Sequence, residues 1–179
     1  MKSAMVVRAR AVAQMHMRTT PVRWARVRVV AAAAMRVARQ LDPVSRTCLL
    51  AAAWLHEVGH VESLRVTGFA RLDGARFVRT CGFESTVASL VAYHSGAAYE
   101  ARERGLLAEL ATVRRPPQKL LDALTYCDMT IGRLGSSTSA GDRLEEILRR
   151  YPPDDPMHRA TLSASAELLE SVARVKTWI

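Results

Sequence analysis

Two histidines and a glutamate fall within five residues, His56-Glu57-Val58-Gly59-His60. The spelling is H-E-x-x-H, in which imidazoles four residues apart share one helical face and can bind zinc, with the glutamate as base. A zinc site of that kind needs a third ligand. Ser63 and Val66 stand where the extended motif has glycine and histidine, which leaves Glu84 as a distant candidate. Two further residues invite chemistry. Asp128 lies in the apolar stretch Ala123-Leu124-Thr125-Tyr126-Cys127-Asp128-Met129, and His94 ends a segment carrying Val87, Leu90 and Val91 at helical spacing. A polar group in such surroundings needs a partner or a metal. Alone, each reads as a hydrogen-bonded core residue; together they make a candidate site.

The elements that must position these residues are helical. Alanine and leucine are abundant and aromatics make up only 6% of the 179 residues, a mixture that favours helix. The pattern predicts helices over 4–17, from Pro21 with Thr20 as cap to about Gln40, and from a Ser45 cap to about His60. A loop follows over 61–72, then a short helix over 74–80 capped by Asp73 and ended by Gly82. Further helices are expected over 85–94, about 100–110, Pro116 to about Ile131, 143–151 and 157–178. On the last, Leu162, Leu168, Leu169, Val172 and Val175 are read as one apolar side. The residues 132–141 form a glycine- and serine-rich connection without the lysine of a phosphate-binding loop. No G-x-S-x-G surrounds any serine, so an α/β-hydrolase is unsupported. The fold class is all-α, with a basic N-terminal helix over 1–20, a core over 21–135 and C-terminal helices over 136–179 packed on the same domain.

Charge and cysteine usage bound the setting. Of 26 Lys and Arg, nine lie in residues 1–41 (Lys2, Arg8, Arg10, Arg18, Arg23, Arg26, Arg28, Arg36, Arg39), where there is no acid, while the rest balance the 17 Asp and Glu. The whole formal charge of +9 therefore sits in the first two helices. Such a face suits a phosphorylated or other anionic ligand, and nucleic acid is compatible with it, although a solvated arginine surface is the plainer reading. A transit peptide would also be basic and acid-free, but the pattern from Val22 onward is that of a folded core. The three cysteines form neither a zinc pair nor a disulfide framework, and no apolar run has the length of a membrane span, so a cytoplasmic protein is expected.

Four blocks of the chain resemble, in order, the motifs of HD-domain proteins, particularly small bacterial ones. Ala51-Ala52-Ala53-Trp54-Leu55-His56-Glu57-Val58-Gly59 is similar to the A-A-W-L-H-D-I-G block. Thr67-Gly68-Phe69 and Leu72-Asp73-Gly74-Ala75-Arg76 are similar to the T-G-F-H-P-L-D-G-A-R loop. Val91-Ala92-Tyr93-His94-Ser95 resembles the histidine-bearing helix, and Leu124-Thr125-Tyr126-Cys127-Asp128-Met129 the terminal aspartate block. The resemblance implies an HD-domain helical bundle. It also implies a divalent metal (Mn, Fe, Zn or Mg) on His56, Glu57 and Asp128, which activates water against a phosphate ester. His94 would then be catalytic and His60 accessory, in proton transfer or phosphate contact.

Residue by residue, the match is incomplete. Glu57 stands for the aspartate of the doublet, Ala70 for a loop histidine and Tyr93 for the first of a His-His pair. The first histidine falls in Trp24-Ala25-Arg26-Val27, where position 26 is arginine, which has no lone pair to offer a metal. Arg26 shares a helical face with Val22, Val30, Ala33 and Val37, a stripe expected to be buried, so its charge calls for a carboxylate. Glu57 and Asp128 are the candidates, and Arg26 is read as a possible replacement for the metal. The sequence therefore predicts a relative of metal-dependent phosphohydrolases acting on nucleotides or small phosphate esters, with reduced or lost metal binding. The rival reading is a non-catalytic HD module for an anionic ligand or partner, and the H-E-x-x-H zinc peptidase ranks third.

Overall fold

Prolines open three of the helices and alanines let them approach closely. The computed structural model describes residues 4–179, so Lys2 of the basic run lies outside the described residues. Ten α-helices follow one another: α1 (Ala4–Met17), α2 (Pro21–Val37), α3 (Pro43–Leu55), α4 (Ala70–Thr80), α5 (Ser85–Tyr93), α6 (Ala97–Glu103), α7 (Leu107–Ala111), α8 (Gln118–Met129), α9 (Ala140–Arg150) and α10 (Pro156–Lys176). Among the described residues there is no strand, only an isolated bridge between Ile131 and Ser137. Among the described residues no helix is long and apolar enough to cross a membrane.

Helix α3 is the hub. Leu49, Ala51, Ala52, Ala53 and Leu55 are buried around its circumference, as expected of a helix enclosed on all sides. It packs against α1, α2, α5 and α8. Ala9 and Ala13 of α1 are fully buried in the same core as Ala51 to Ala53, and such small side chains permit close helix approach. A smaller cluster of Met129, Ala140, Leu144, Ala164, Leu168 and Val172 joins α8, α9 and α10. The cleft described below lies between these two packed regions.

Several local expectations change. Asp42, rather than Ser45, caps α3, accepting from the N–H groups of Val44 and Ser45 at 3.0 Å each. The Thr20 hydroxyl donates to Met17 O at 2.9 Å instead of capping α2. Helix α4 begins at Ala70, which puts Asp73 inside its first turn, where it accepts from the N–H groups of Val66, Thr67 and Gly68 and from the Thr67 hydroxyl. That carboxylate ties down the preceding loop. The piece expected over 100–110 is two helices, broken at Gly105. On α10, Leu162 and Leu169 are exposed, and the buried side runs through Ala160, Ala164, Leu168, Val172 and Val175. Val22, placed on the buried stripe of α2, is 49% exposed because it lines the cleft.

The glycine of the H-E-x-G step has a packing reason. A Cβ on Gly59 would meet Ala70 O at 1.8 Å and Gly74 N at 2.6 Å. Only backbone without a side chain can lie there against α4. Gly59→Ala is expected to cost about 3 kcal/mol or more, at the upper end of overpacking effects. Gly82→Ala meets open space and bears only the strain of its positive φ, on the order of 1 kcal/mol. Urea unfolding of both variants measures the difference, and equal losses would refute the close-approach argument.

Candidate functional site

The chemistry gathers where α3 ends. Glu57, with φ −100° and ψ 0°, interrupts the helix after His56, and a single 3-10 turn spans Val58–His60. His56 and His60 therefore do not share one helical face as the spacing implies. Glu57 stands between them, with His56 Nε2 3.9 Å from Oε1 and His60 Nε2 3.5 Å from Oε2. The zinc-peptidase arrangement is not formed. Both Glu57 oxygens are engaged by arginines, and Glu84 lies beside Cys48 Sγ at 3.6 Å.

Arg26 comes from the middle of α2 and is only 4% exposed. Its Nη1 donates to Glu57 Oε1 at 3.2 Å. Its Nη2 lies 2.7 Å from Asp128 Oδ1, yet donates to the backbone carbonyls of Asp128 at 2.7 Å and Ile131 at 3.1 Å. The guanidinium thus touches the side chains of both candidate acids and also holds the end of α8. Arg23, one turn earlier, reaches Glu57 Oε2 at 2.5 Å. In the sequence Arg23 is one member of the basic run, and its i−3 spacing from Arg26 is the signal that places it here.

Asp128 is fixed on its other side by the Ser95 hydroxyl, which donates to Oδ2 at 2.6 Å. Ser95 has φ 51°, a left-handed conformation rare outside glycine, which puts strain beside the site. Burial opposes the charge of Asp128, but Arg26, followed by His56 and His94, holds its carboxyl well below the usual range. Burial likewise opposes Glu57, and His60, His56, Arg26 and Arg23 together bring it far down. For Arg26, burial is outweighed by Asp128 and then Glu57, so its pKa is raised.

The histidines sit among these groups. His56 Nδ1 is 2.8 Å from Ala53 O. That carbonyl can only accept, so Nδ1 donates to it, and Nε2 lies 3.4 Å from Asp128 Oδ1. Among the described residues neither atom has a hydrogen-bond partner. His56, Glu57 and Asp128 present one donor atom each, all within 4.8 Å of one another, which is a possible metal-ligand group. His94 stacks edge-on against His56 at 5.4 Å between ring centroids. Its Nδ1 lies 2.9 Å from Val91 O. Burial, helped by Arg71, pulls the His94 pKa down to about 3.

Above this floor opens a cleft of about 480 Å³, lined by Arg23, Arg26, Arg71, Arg133, Arg143 and Arg150. Arg71 pairs with Glu100 and donates from Nε to His94 O at 3.2 Å. Arg133, Arg143 and Arg150 come from the α8–α9 connection and α9, a region in which the sequence reading singled out no functional residue.

A family model of the HD domain matches residues 23–127. No curated protein and no solved structure matches the chain.

Arg26→Met would leave Asp128 without its cation and Glu57 with Arg23 alone. Removing one partner of a buried pair costs about 3–5 kcal/mol, so urea unfolding should show a loss of that size, and a loss under 1 kcal/mol would mean the contacts are not holding the fold. A second expectation concerns acid. His94 titrates at about 3 in the folded protein and at about 6.5 in an unfolded chain. Between those values the unfolded state binds more protons, so stability falls as pH is lowered through that window, by up to about 1.4 kcal/mol per pH unit. His94→Gln should flatten the decline between about pH 6.5 and 4; an unchanged slope would show that other groups carry it.

Proposed function

The chain belongs to the HD-domain family, within the metal-dependent phosphohydrolase superfamily, and we propose that it is a member in which the Arg26 guanidinium stands in for the metal. In this reading the cleft binds a small phosphate ester such as a nucleotide, with metal binding reduced or lost. The observation that carries it is the double contact of a buried guanidinium with Glu57 at 3.2 Å and Asp128 at 2.7 Å.

The fit of a divalent ion turns on those same atoms. His56 Nε2, Glu57 Oε1 and Asp128 Oδ1 have the right donor chemistry, but ligand bonds of about 2.0–2.2 Å would set an ion in the space that Arg26 uses. Charge points the same way. Glu57 and Asp128 are already matched by Arg23 and Arg26, and two more positive charges in a buried, neutral floor would be unfavourable. With Arg26 in place, the residues do not fit a resident divalent ion. What the side chains offer is binding. Arg23 and Arg71 line the cleft as cations, and His60 stands beside Glu57 at its edge. Burial lowers the His60 pKa to about 4.

A second reading keeps hydrolysis and is favoured by one feature: among the described residues His56 Nε2 and Asp128 Oδ1, 3.4 Å apart, have no hydrogen-bond partner, although Oδ1 is ion-paired with Arg26. An ion that displaced Arg26 would satisfy both. Metal content separates the two. Protein purified without chelator and offered manganese, iron, zinc and magnesium is expected to hold no stoichiometric ion, and its melting temperature should not respond to chelator. The double variant Arg26→His with Glu57→Asp should bind manganese and melt about 5–10 °C higher at a hundredfold excess over Kd. One tightly held ion per wild-type chain would overturn the replacement reading.

A further inference from the structure

The arginines lining the cleft are not equivalent. On the floor, three cations face three acids. Arg23 and Arg26 meet Glu57 and Asp128, while Arg71 meets Glu100, which Arg104, not itself lining the cleft, also contacts. Two of those acids, Glu57 and Asp128, are among the residues usually read as the reactive centre, yet that half of the cleft is close to neutral. On the α9 side, Arg133, Arg143 and Arg150 have one acid near them, Glu146, which pairs with Arg143. The excess positive charge of the cleft is therefore on this wall.

Arg143 has the features of an incomplete recognition group. It is 7% exposed, lines the cleft, and among the described residues makes one side-chain hydrogen bond, from Nη1 to Glu146 Oε2 at 2.6 Å. Its Nε has no acceptor. A buried donor without a partner is unfavourable by itself, and a guanidinium grips phosphate through two parallel N–H bonds. Arg133 and Arg150 are exposed at the mouth, and neither forms an ion pair among the described residues. Arg143 and Arg133 lie close enough to Arg150 to act on it as like charges. Beside them, Met129, Ile147 and Leu168 give the cleft an apolar strip.

We propose that Arg133, Arg143 and Arg150 form a phosphoryl-binding subsite on the α9 wall, which holds the anionic end of a small ligand whose apolar part lies along Met129, Ile147 and Leu168. The subsite rests on the reading of the cleft as a phosphate-ester site and deepens it. It moves anion recognition to residues beyond 127, outside the segment that matches the HD-domain model. In this arrangement the floor positions the ligand and the α9 wall supplies its affinity. Glu146 orients Arg143, and the exposed pair closes over the anion from the mouth.

The test uses inorganic pyrophosphate as probe, titrated calorimetrically into the full chain at fixed ionic strength. Arg143 is buried and its replacement can unfold the protein, so the informative variant is Arg133→Gln with Arg150→Gln. Arg149→Gln, exposed on the same helix and paired with Glu145 at 3.4 Å, controls for loss of charge alone. The double variant should weaken pyrophosphate binding about tenfold or more, and Arg149→Gln should leave it within about twofold. Equal weakening by both would reduce the effect to general electrostatics and overturn the subsite. Binding that survives the double variant but is weakened by Arg23→Gln would also overturn it, while leaving the floor as the anion site. No binding of pyrophosphate by the wild type overturns it as well, and the metal replacement at Arg26 is judged separately by metal content. Binding of a short single-stranded oligonucleotide in that case would assign the basic surface to nucleic acid instead.

Discussion

A single buried cation joins three distant parts of this chain. Arg26 on α2 reaches the turn after α3 through Glu57 and the end of α8 through Asp128 and Ile131. An unpaired charge at that depth would not be tolerated, and each acid alone would be equally unfavourable. Their mutual neutralisation is what lets the end of α3, the end of α8 and the middle of α2 meet in one place. The low carboxyl pKa values follow in part from the same arrangement, whereas burial and Arg71 lower that of His94.

The surrounding structure serves to hold that meeting point. Gly59 allows the segment after Glu57 to lie directly on α4. Asp73 in α4 gathers three backbone N–H groups of the loop that follows His60. Ser95, in a left-handed conformation, turns the chain after His94 so that its hydroxyl reaches Asp128. These residues fall in the blocks that resemble HD-domain motifs, and each has a geometric task beside any chemical one. Similarity in such blocks therefore reports the fold more directly than it reports metal chemistry.

The charge of the molecule separates into two parts with different consequences. The basic excess in the sequence lies in the first two helices, but two of those arginines, Arg23 and Arg26, turn inward and are spent on Glu57 and Asp128. Others, such as Arg8 and Arg10, lie over the aromatic rings of Phe83 and Trp54. Inside the cleft the uncompensated charge comes instead from the region around α9, where the overall sequence balance is neutral. Net charge along a chain is thus a poor guide to where an anion would be held, because side-chain direction and pairing redistribute it.

The all-α class, the order of the helices and the family resemblance were legible in the sequence, since they depend on local periodicity, prolines, glycines and short motifs. That His56, Glu57, Asp128, His94 and Arg26 would need partners was legible too, because polar groups in apolar helices need them wherever they lie. Local pattern went astray at ends and faces: Asp42 and not Ser45 caps α3, the helix stops before Glu57, and Leu162 and Leu169 face outward. Only the tertiary structure decided which partners meet. Arg26 contacts residues 31 and 102 positions away, and Arg143 enters the cleft from outside the recognised motifs. Such contacts are set by the packing of whole helices against one another, and no periodicity of 3.6 residues carries that information.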